Sequence, residues 1–369
     1  MISVFGSLVG DEEIAAVTAV MRSQWMGFGS KVAEFEEAYK QKFNLPNFAL
    51  VDSGSNALYM AVKLLNLPSN SKIVVPSLTW VSCAQAVLLA NCIPVFCDVD
   101  IDSMNISASK IKDIWSEDIS AIMVVHYSGL PVEMDEIKAF GVPIIEDAAH
   151  APCSTYKGQP CGVIGDVGIF SFDAVKNITV GEGGGIASKD ASLIERAKRL
   201  RYCGIGKSGF ENAGKNTTER WWEYNISEPF IKMLPTNIAA AIGLEQLKKI
   251  DRLQNIRRDI WFTYNEAFAT VSQIITPQSP PDYSTHSWFT YCIRAEDRDR
   301  LAKFLLDKGI YTTLRYHPLH LNALYKQERI YLANSQQLNS DALSIPLHPR
   351  LSSSDVTYII QSILEFYSQ

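Results

Sequence analysis

The sequence predicts an α/β fold in two domains, and three observations carry that expectation. Apolar runs of strand length alternate with amphipathic helical patterns through the first 170 or so residues. A long uninterrupted helical pattern then starts near Asn237. From 273 to the end, a second and shorter alternation of strand and helix follows. Alternation of this kind implies a mostly parallel, mixed sheet flanked by helices, plus a smaller α/β C-terminal domain. The expected division is 1–245 for the large domain and 246–369 for the linking helix with the small domain.

The elements follow in order. Helical patterns fall at 11–24, 31–43, 56–65 and 81–89. Strand candidates fall at 48–51, 73–75, 94–96, 121–125, 142–145 and 167–170. A helix is expected over 192–202 and a polar, glycine-containing loop over 204–219. The long helix spans about 237–268, a length suited to joining a large domain to a small one. Beyond it, strands are expected at 288–294 and 311–315, and helices at 297–308 and 353–366.

Composition narrows the function classes. The chain has 369 residues, 47% of them hydrophobic, enough for a large core. Its formal net charge is −6 and no long basic cluster appears, so a nucleic-acid footprint is absent. Apolar runs are far too short to span a bilayer. The opening Met1-Ile2-Ser3-Val4-Phe5-Gly6 lacks a basic leader segment, and a cytoplasmic location is expected. The seven cysteines are scattered and odd in number, and none forms a C-x-x-C pair. Reduced thiols and no metal site are the expectation.

The chemistry concentrates around one lysine. Ile144-Ile145-Glu146-Asp147 reads as a buried strand ending in a carboxylate. A second apolar run, Val167-Gly168-Ile169-Phe170-Ser171-Phe172, leads into Asp173-Ala174-Val175-Lys176, and Gly181-Glu182-Gly183-Gly184-Gly185 follows. An acid, then a lysine some thirty residues on in a turn-rich collar, is what a pyridoxal phosphate site requires. The lysine forms the Schiff base and the acid keeps the ring nitrogen protonated. A lysine on the surface is the commoner case, but surface lysines seldom lie between an apolar strand and a glycine-rich turn. The glycines do not match G-x-x-x-x-G-K-[ST], so a P-loop is rejected.

Candidates exist for the other supports. Ser53-Gly54-Ser55-Asn56 follows a strand and opens a helix, where free amides and hydroxyls favour a phosphate; an ordinary N-cap explains the same residues. Ser171 adds a hydroxyl at the end of its strand. Trp80, after a strand and a proline turn, offers a flat face for the ring, as a core tryptophan also would. Asp147 is the counter-charge candidate and Glu146 its competitor; neighbours in a strand face opposite sides, so one of the two meets the ring. His150 is placed to bond the ring's phenolic oxygen or to pack over the ring.

These segments together resemble the DegT-type nucleotide-sugar aminotransferase family, within the fold-type I aspartate aminotransferase superfamily. The resemblance runs in order through Trp25-Met26-Gly27-Phe28-Gly29, Ser53-Gly54-Ser55-Asn56, Pro76-Ser77-Leu78-Thr79-Trp80, Glu146-Asp147-Ala148-Ala149-His150 and Ser171 to Asn177. It continues through Gly181-Glu182-Gly183-Gly184, Asn237 to Leu244 and Pro318-Leu319-His320. It implies a fold-type I PLP-dependent transferase, working between pyridoxal and pyridoxamine phosphate (PLP/PMP). Such an enzyme is a homodimer with its sites at the interface. It moves an amino group from L-glutamate, leaving 2-oxoglutarate, to a keto carbon of a nucleotide-linked deoxysugar, as in amino-sugar biosynthesis for surface polysaccharide or a glycosylated metabolite.

By position, the resemblance makes Lys176 and Asp147 catalytic. Gly54, Ser55, Asn56, Trp80, His150, Ser171 and Lys232 join them as cofactor-binding, Lys232 reaching the phosphate of the neighbouring subunit. Trp25, Met26, Arg315 and His320 are substrate candidates. The chain departs from the family's Ser-Gly-Thr at Ser55, from Asn-His-Gly at Tyr202-Cys203-Gly204, and from a polar residue at Leu234. Three rival functions share these features: a PMP-dependent sugar dehydratase, where a histidine commonly replaces the lysine; a keto-inositol aminotransferase; and a non-catalytic PLP-binding regulator.

Overall fold

The computed structural model describes residues 1–206, 220, 222–325 and 330–368. The loop expected over 204–219 therefore lies outside the described residues from 207 onward. A seven-stranded sheet forms the centre of the N-terminal part. Its strands are β1 (Phe48–Val51), β2 (Lys72–Pro76), β3 (Ile93–Cys97), β4 (Ile119–Val125), β5 (Ile144–Asp147), β8 (Val167–Ser171) and β9 (Gly184–Ala187). Two short strands, β6 (Thr155–Tyr156) and β7 (Gln159–Pro160), sit outside it and pair with each other, and β6 pairs on its other side with β11 (Ser284–Thr285).

The spatial order of the central sheet is β1-β9-β8-β5-β4-β2-β3. Every pairing from β3 to β8 is parallel, and β9 runs antiparallel to both of its neighbours. The carboxyl ends of β1, β2, β5 and β8 thus reach one edge of the sheet, where ligands bind in open α/β sheets.

Side chains sort to the two faces with period two. Ala49, Val51, Val75, Met123, Ile145, Val167 and Ile169 join one apolar cluster, with the helices Gly54–Leu64 and Ala191–Leu200. Phe48, Leu50, Val74, Ile122, Val124, Ile144 and Phe170 join the other, with Ser30–Lys42 and the start of Asn237–Phe268. A sheet covered on both faces explains why these strands read as nearly continuous apolar runs.

The helix Asn237–Phe268 matches its expected span; Thr236 caps it, its hydroxyl accepting from the Ala239 amide at 3.1 Å. Beyond it, β10 (Ile274–Ile275), β12 (Tyr291–Ala295) and β13 (Ala342–Ile345) form a three-stranded antiparallel sheet. That sheet and the helix Ser353–Tyr367 share a separate cluster with Trp261, Tyr264, Phe268, Ile293 and Ile359. The first residues run along this C-terminal part. Ile2 bridges Ile310, and the Leu347 amide donates to the Val4 carbonyl at 3.3 Å.

The strand expected at 311–315 is replaced by one bridge, Thr313 to Ser344. The Tyr311 amide pairs with the Ile2 carbonyl instead, at 2.9 Å, so no single neighbour runs alongside the segment. All seven cysteines are free. Among the described residues, no helix is long and apolar enough to cross a membrane and no cluster could hold a metal ion.

Candidate active site

The turn after β1 makes one wall of the site. Ser53 caps the helix Gly54–Leu64, its Oγ accepting from the Asn56 amide at 3.2 Å. A Cβ on Gly54 would lie 2.8 Å from Ser171 Cβ, so the glycine lets the turn close on the end of β8. A Cβ on Gly184 would lie 2.3 Å from the Ser53 carbonyl carbon, so the start of β9 fits against the same turn only as glycine. Ser55 and Ser82 join their hydroxyls at 2.7 Å. Ser53, Gly54, Ser55, Ser82 and Ser171 all line one cavity of about 380 Å³. First-turn helix amides have no intrahelical acceptor, so hydroxyls and amides together suit an anion.

The strand β5 separates its two carboxylates. Glu146 is fully buried; it accepts from the amides of Gly162 at 2.8 Å, Ile164 at 2.6 Å and Gly165 at 2.6 Å, and lies 2.9 Å from His126 Nε2. It anchors a loop. Asp147 points the other way, into the cavity. Its Oδ1 accepts from the Ala149 amide at 2.9 Å and its Oδ2 from the Cys83 thiol at 3.2 Å. Among the described residues no cationic side chain pairs with it, an unusual state for a buried acid.

Lys176 enters the same cavity from the turn after β8. Asp173 shapes that turn: its carboxylate accepts from the Val175 amide at 2.9 Å and its carbonyl from the Lys176 amide at 3.0 Å. Burial, and then the Arg315 guanidinium, push the lysine down from 10.5 to about 8, with Asp147 opposing. The amine lies 4.7 Å from the Phe289 ring centroid. His150 stacks on that phenyl ring at 4.1 Å and 16°. Its Nε2 lies 3.0 Å from the Tyr316 hydroxyl, and its buried Nδ1 has no partner among the described residues. Burial, and the charges of Lys176 and Arg315, hold it well below 6.5, hence neutral.

Arg315 is buried in the same cavity wall, 4.8 Å from the Phe289 centroid and 5.2 Å from that of Phe5. Among the described residues it meets no carboxylate. Trp80 lines the cavity and is 54% exposed, with its ring 5.7 Å from that of Tyr316.

Five expected residues are not brought to the cavity. The Asn56 side chain is turned to Asp52, its amide at 2.9 and 3.0 Å from the two carboxylate oxygens. His320 bonds Ser77 Oγ at 2.6 Å, tying the 319–321 turn to the end of β2. Trp25 and Met26 are exposed on a turn pinned to the long helix: the Asn237 side chain donates to the Trp25 carbonyl at 3.1 Å, and its amide to that of Met26 at 3.1 Å. Lys232 is exposed and lies outside the cavity. Conversely, Phe5, Thr79, Ser82, Glu182 and Tyr316 line the cavity without having been expected there. Thr79 and Ser82 flank Trp80, and Tyr316 adjoins Arg315, so proximity to a candidate was their available signal. Phe5 had none.

A lysine pushed down to about 8 and a carboxylate with no cationic partner among the described residues share one cavity at the strand ends of a doubly covered sheet, an arrangement suited to group transfer. The chain belongs to the DegT/DnrJ/EryC1/StrS aminotransferase family, whose model matches residues 8–364. It is 32% identical over 365 residues to the dTDP-4-dehydro-2,3,6-trideoxy-D-glucose 4-aminotransferase of Saccharopolyspora spinosa, covering 96% of this chain and 94% of that one. Among solved structures it is similar to the aminotransferase TlmJ of Streptoalloteichus hindustanus, with a TM-score of 0.93, 32% identity and coverage of 100% and 99%. It is also similar to the sugar aminotransferase Spr1654 of Streptococcus pneumoniae in its PMP form, with a TM-score of 0.90, 27% identity and coverage of 99% and 98%.

Proposed function

We propose that this aminotransferase uses pyridoxal 5′-phosphate to move an amino group from L-glutamate to a keto carbon of a nucleotide-linked deoxysugar. One observation carries the reading: Lys176, held at about 8, shares a cavity with an Asp147 carboxylate that has no cationic partner among the described residues. The names of the relatives support the substrate class, since the S. spinosa protein acts on a dTDP-linked keto-deoxysugar. The PMP and PLP forms of Spr1654 support the cofactor.

The residues fit that cofactor. Gly54, Ser55, Ser82 and Ser171 would hold the phosphate, Asp147 the ring nitrogen, and Trp80 a ring face. A neutral imidazole keeps one N–H; with the Tyr316 hydroxyl donating to Nε2, the orphaned Nδ1–H of His150 is free for the phenolic oxygen. Bound there, the protonated ring acts as the electron sink that loosens a Cα–H bond.

The chain's own groups do the rest. Lys176 has a usable neutral fraction near pH 7 to 8, so it can attack an aldehyde and then carry a proton between the donor's Cα and the cofactor's C4′. Arg315 takes the donor carboxylate, since among the described residues no carboxylate competes for it. Asp147 preserves the ring's charge through both halves of the exchange. Phe289, Phe5 and Tyr316 keep water from the reacting atoms.

The same reading makes the protein a homodimer of a large domain, 1–245, and a small one, 246–369. Ile231, 57% exposed, and Leu89, 68% exposed, sit beside Ser55 and Ser82 and suit cover by a second copy. Lys232, Trp25 and Met26 would then serve the neighbouring subunit's site.

The test has two stages. Purified protein is loaded with pyridoxal phosphate, trapped with borohydride and digested; the adduct is expected on Lys176. Glutamate is added to a second, untrapped portion of the loaded protein, and the expected result is the PMP spectrum with one 2-oxoglutarate per site. A panel of keto-sugar nucleotides, read by mass spectrometry, follows. An adduct elsewhere, or no exchange with glutamate, overturns the proposal.

A further inference from the structure

The Asp147 carboxylate does not stand alone in the cavity wall. Its Oδ2 lies 3.2 Å from Cys83 Sγ, and that sulfur lies 3.2 Å from Thr79 Oγ1. Cys83 is fully buried and Thr79 is 1% exposed. Thr79 lies in the stretch after β2, Cys83 in the first turn of the helix Ser82–Leu89, and Asp147 ends β5. Three elements thus place one thiol between a hydroxyl and the carboxylate.

Counting hydrogens fixes the direction of this chain. A carboxylate only accepts, and a thiol has one hydrogen. The Cys83 hydrogen therefore goes to Asp147, and the Thr79 hydroxyl donates to the sulfur. Burial, and then the Asp147 charge, push the Cys83 thiol well above 9, so the hydrogen stays on sulfur. The Ala149 amide occupies the other oxygen at 2.9 Å. Each oxygen is thereby held by one donor, which stops rotation of the carboxylate while leaving lone pairs toward the cavity. A thiol is a weak donor, so it orients the anion and tempers its basicity while leaving it ionised.

We infer that Cys83, backed by Thr79, is a positioning residue that aims the Asp147 carboxylate at the ring nitrogen of the cofactor and sets how strongly that carboxylate draws the ring proton. The inference rests on the pyridoxal phosphate reading above. Without the thiol hydrogen, the carboxylate is freer to turn and pulls the ring proton toward itself. The ring then carries less positive charge, and the nearby Lys176 linkage loses its proton at higher pH.

The experiment compares Cys83→Ala, Cys83→Ser and Thr79→Val with the full-length parent. Two readouts are taken: the cofactor dissociation constant from tryptophan fluorescence, and the pH midpoint of the visible band of the Lys176-bound cofactor. Cys83→Ala is expected to weaken binding about tenfold and to raise the midpoint by about half a pH unit. Cys83→Ser keeps a hydrogen for the carboxylate and is expected within twofold of the parent, with no rise in midpoint. Thr79→Val moves both readouts in the alanine direction by a smaller amount, and decides the matter should the alanine variant not fold.

Parent-like values for Cys83→Ala, or alanine-like values for Cys83→Ser, overturn the inference and leave the cofactor reading intact. A parent protein that takes up no cofactor overturns both.

Discussion

Lys176 and Arg315 share one phenyl ring: the amine lies 4.7 Å and the guanidinium 4.8 Å from the Phe289 centroid. Two cations on a common apolar wall repel through a medium of low dielectric. Arg315 is accordingly the second cause, after burial, of the fall of Lys176 to about 8. The residue proposed to bind the donor carboxylate therefore also lowers the pKa of the proposed nucleophile, and a bound carboxylate would relax that repulsion.

Arg315→Gln should raise the Lys176 midpoint. The neutral amine is the reactive form, and with a midpoint of about 8 it makes up roughly one-tenth of the population at pH 7. Removing the guanidinium moves the midpoint up by about half to one unit, so capture of pyridoxal phosphate at pH 7 slows and its pH profile shifts to the alkaline side. Stopped-flow absorbance across pH 6 to 10 measures this. A midpoint that stays put or falls contradicts the coupling.

Lys176→Met should stabilise the cofactor-free protein. The folded value, about 8, lies below the ordinary 10.5. Folding therefore disfavours the charged amine; the cost is fully present below pH 8 and fades as pH rises through 8 toward 10.5. It amounts to roughly 2 kcal/mol once water reaching the amine through the cavity is counted. A melting temperature higher by roughly 3 °C at pH 7, with the gap closing by pH 10, is expected in calorimetry. The same variant gives no borohydride-trapped adduct.

Adjacent carboxylates should fail in different ways. Asp147→Asn leaves the fold intact and lowers turnover by about a thousandfold, because an amide cannot hold the ring charge. Glu146→Gln turns an NH₂ group toward the amides of Gly162, or of Ile164 and Gly165, whichever way the side chain lies. That costs about 2–4 kcal/mol of stability while cofactor binding in the surviving folded fraction persists. Denaturant titration and cofactor binding, measured together, separate the two; the opposite assignment of effects would reverse the roles of the pair.

The strands of the central sheet were legible because both faces are covered, so Ile122, Val124, Ile144 and Val167 appear as apolar runs of strand length. β9 was not, since Gly184 and Gly185 have no side chains with which to show a period, and the segment reads as a loop. The expected strand at 311–315 had the right composition, but pairing is a property of neighbours, and its neighbours are Ile2 and Ser344. Lys176, Asp147 and Trp80 could be picked out because each ends or follows a strand on the ligand-binding edge. Asn56 and His320 carried equally good motif positions; their side chains are taken by Asp52 and Ser77, which no spacing reveals. Phe5 and Phe289 meet the site from opposite ends of the chain and could be found only in three dimensions.

Gly54→Ala tests the phosphate wall directly. The added methyl would lie 2.8 Å from Ser171 Cβ and 2.9 Å from its hydroxyl oxygen, closer than carbon atoms tolerate. Alanine is otherwise welcome at the start of a helix, so helix formation does not suffer. The strain falls on the contact between the β1 turn and the end of β8, where Ser55 and Ser171 present their hydroxyls. Overpacking of this kind costs about 1–3 kcal/mol, and the turn is expected to give way outward rather than β8, which is paired on both sides. The hydroxyls then separate, and pyridoxal phosphate binding should weaken by at least about tenfold. Pyridoxal without its phosphate should bind as it does to the parent. Equal losses for both compounds, measured by fluorescence titration, would mean that this turn does not hold the phosphate.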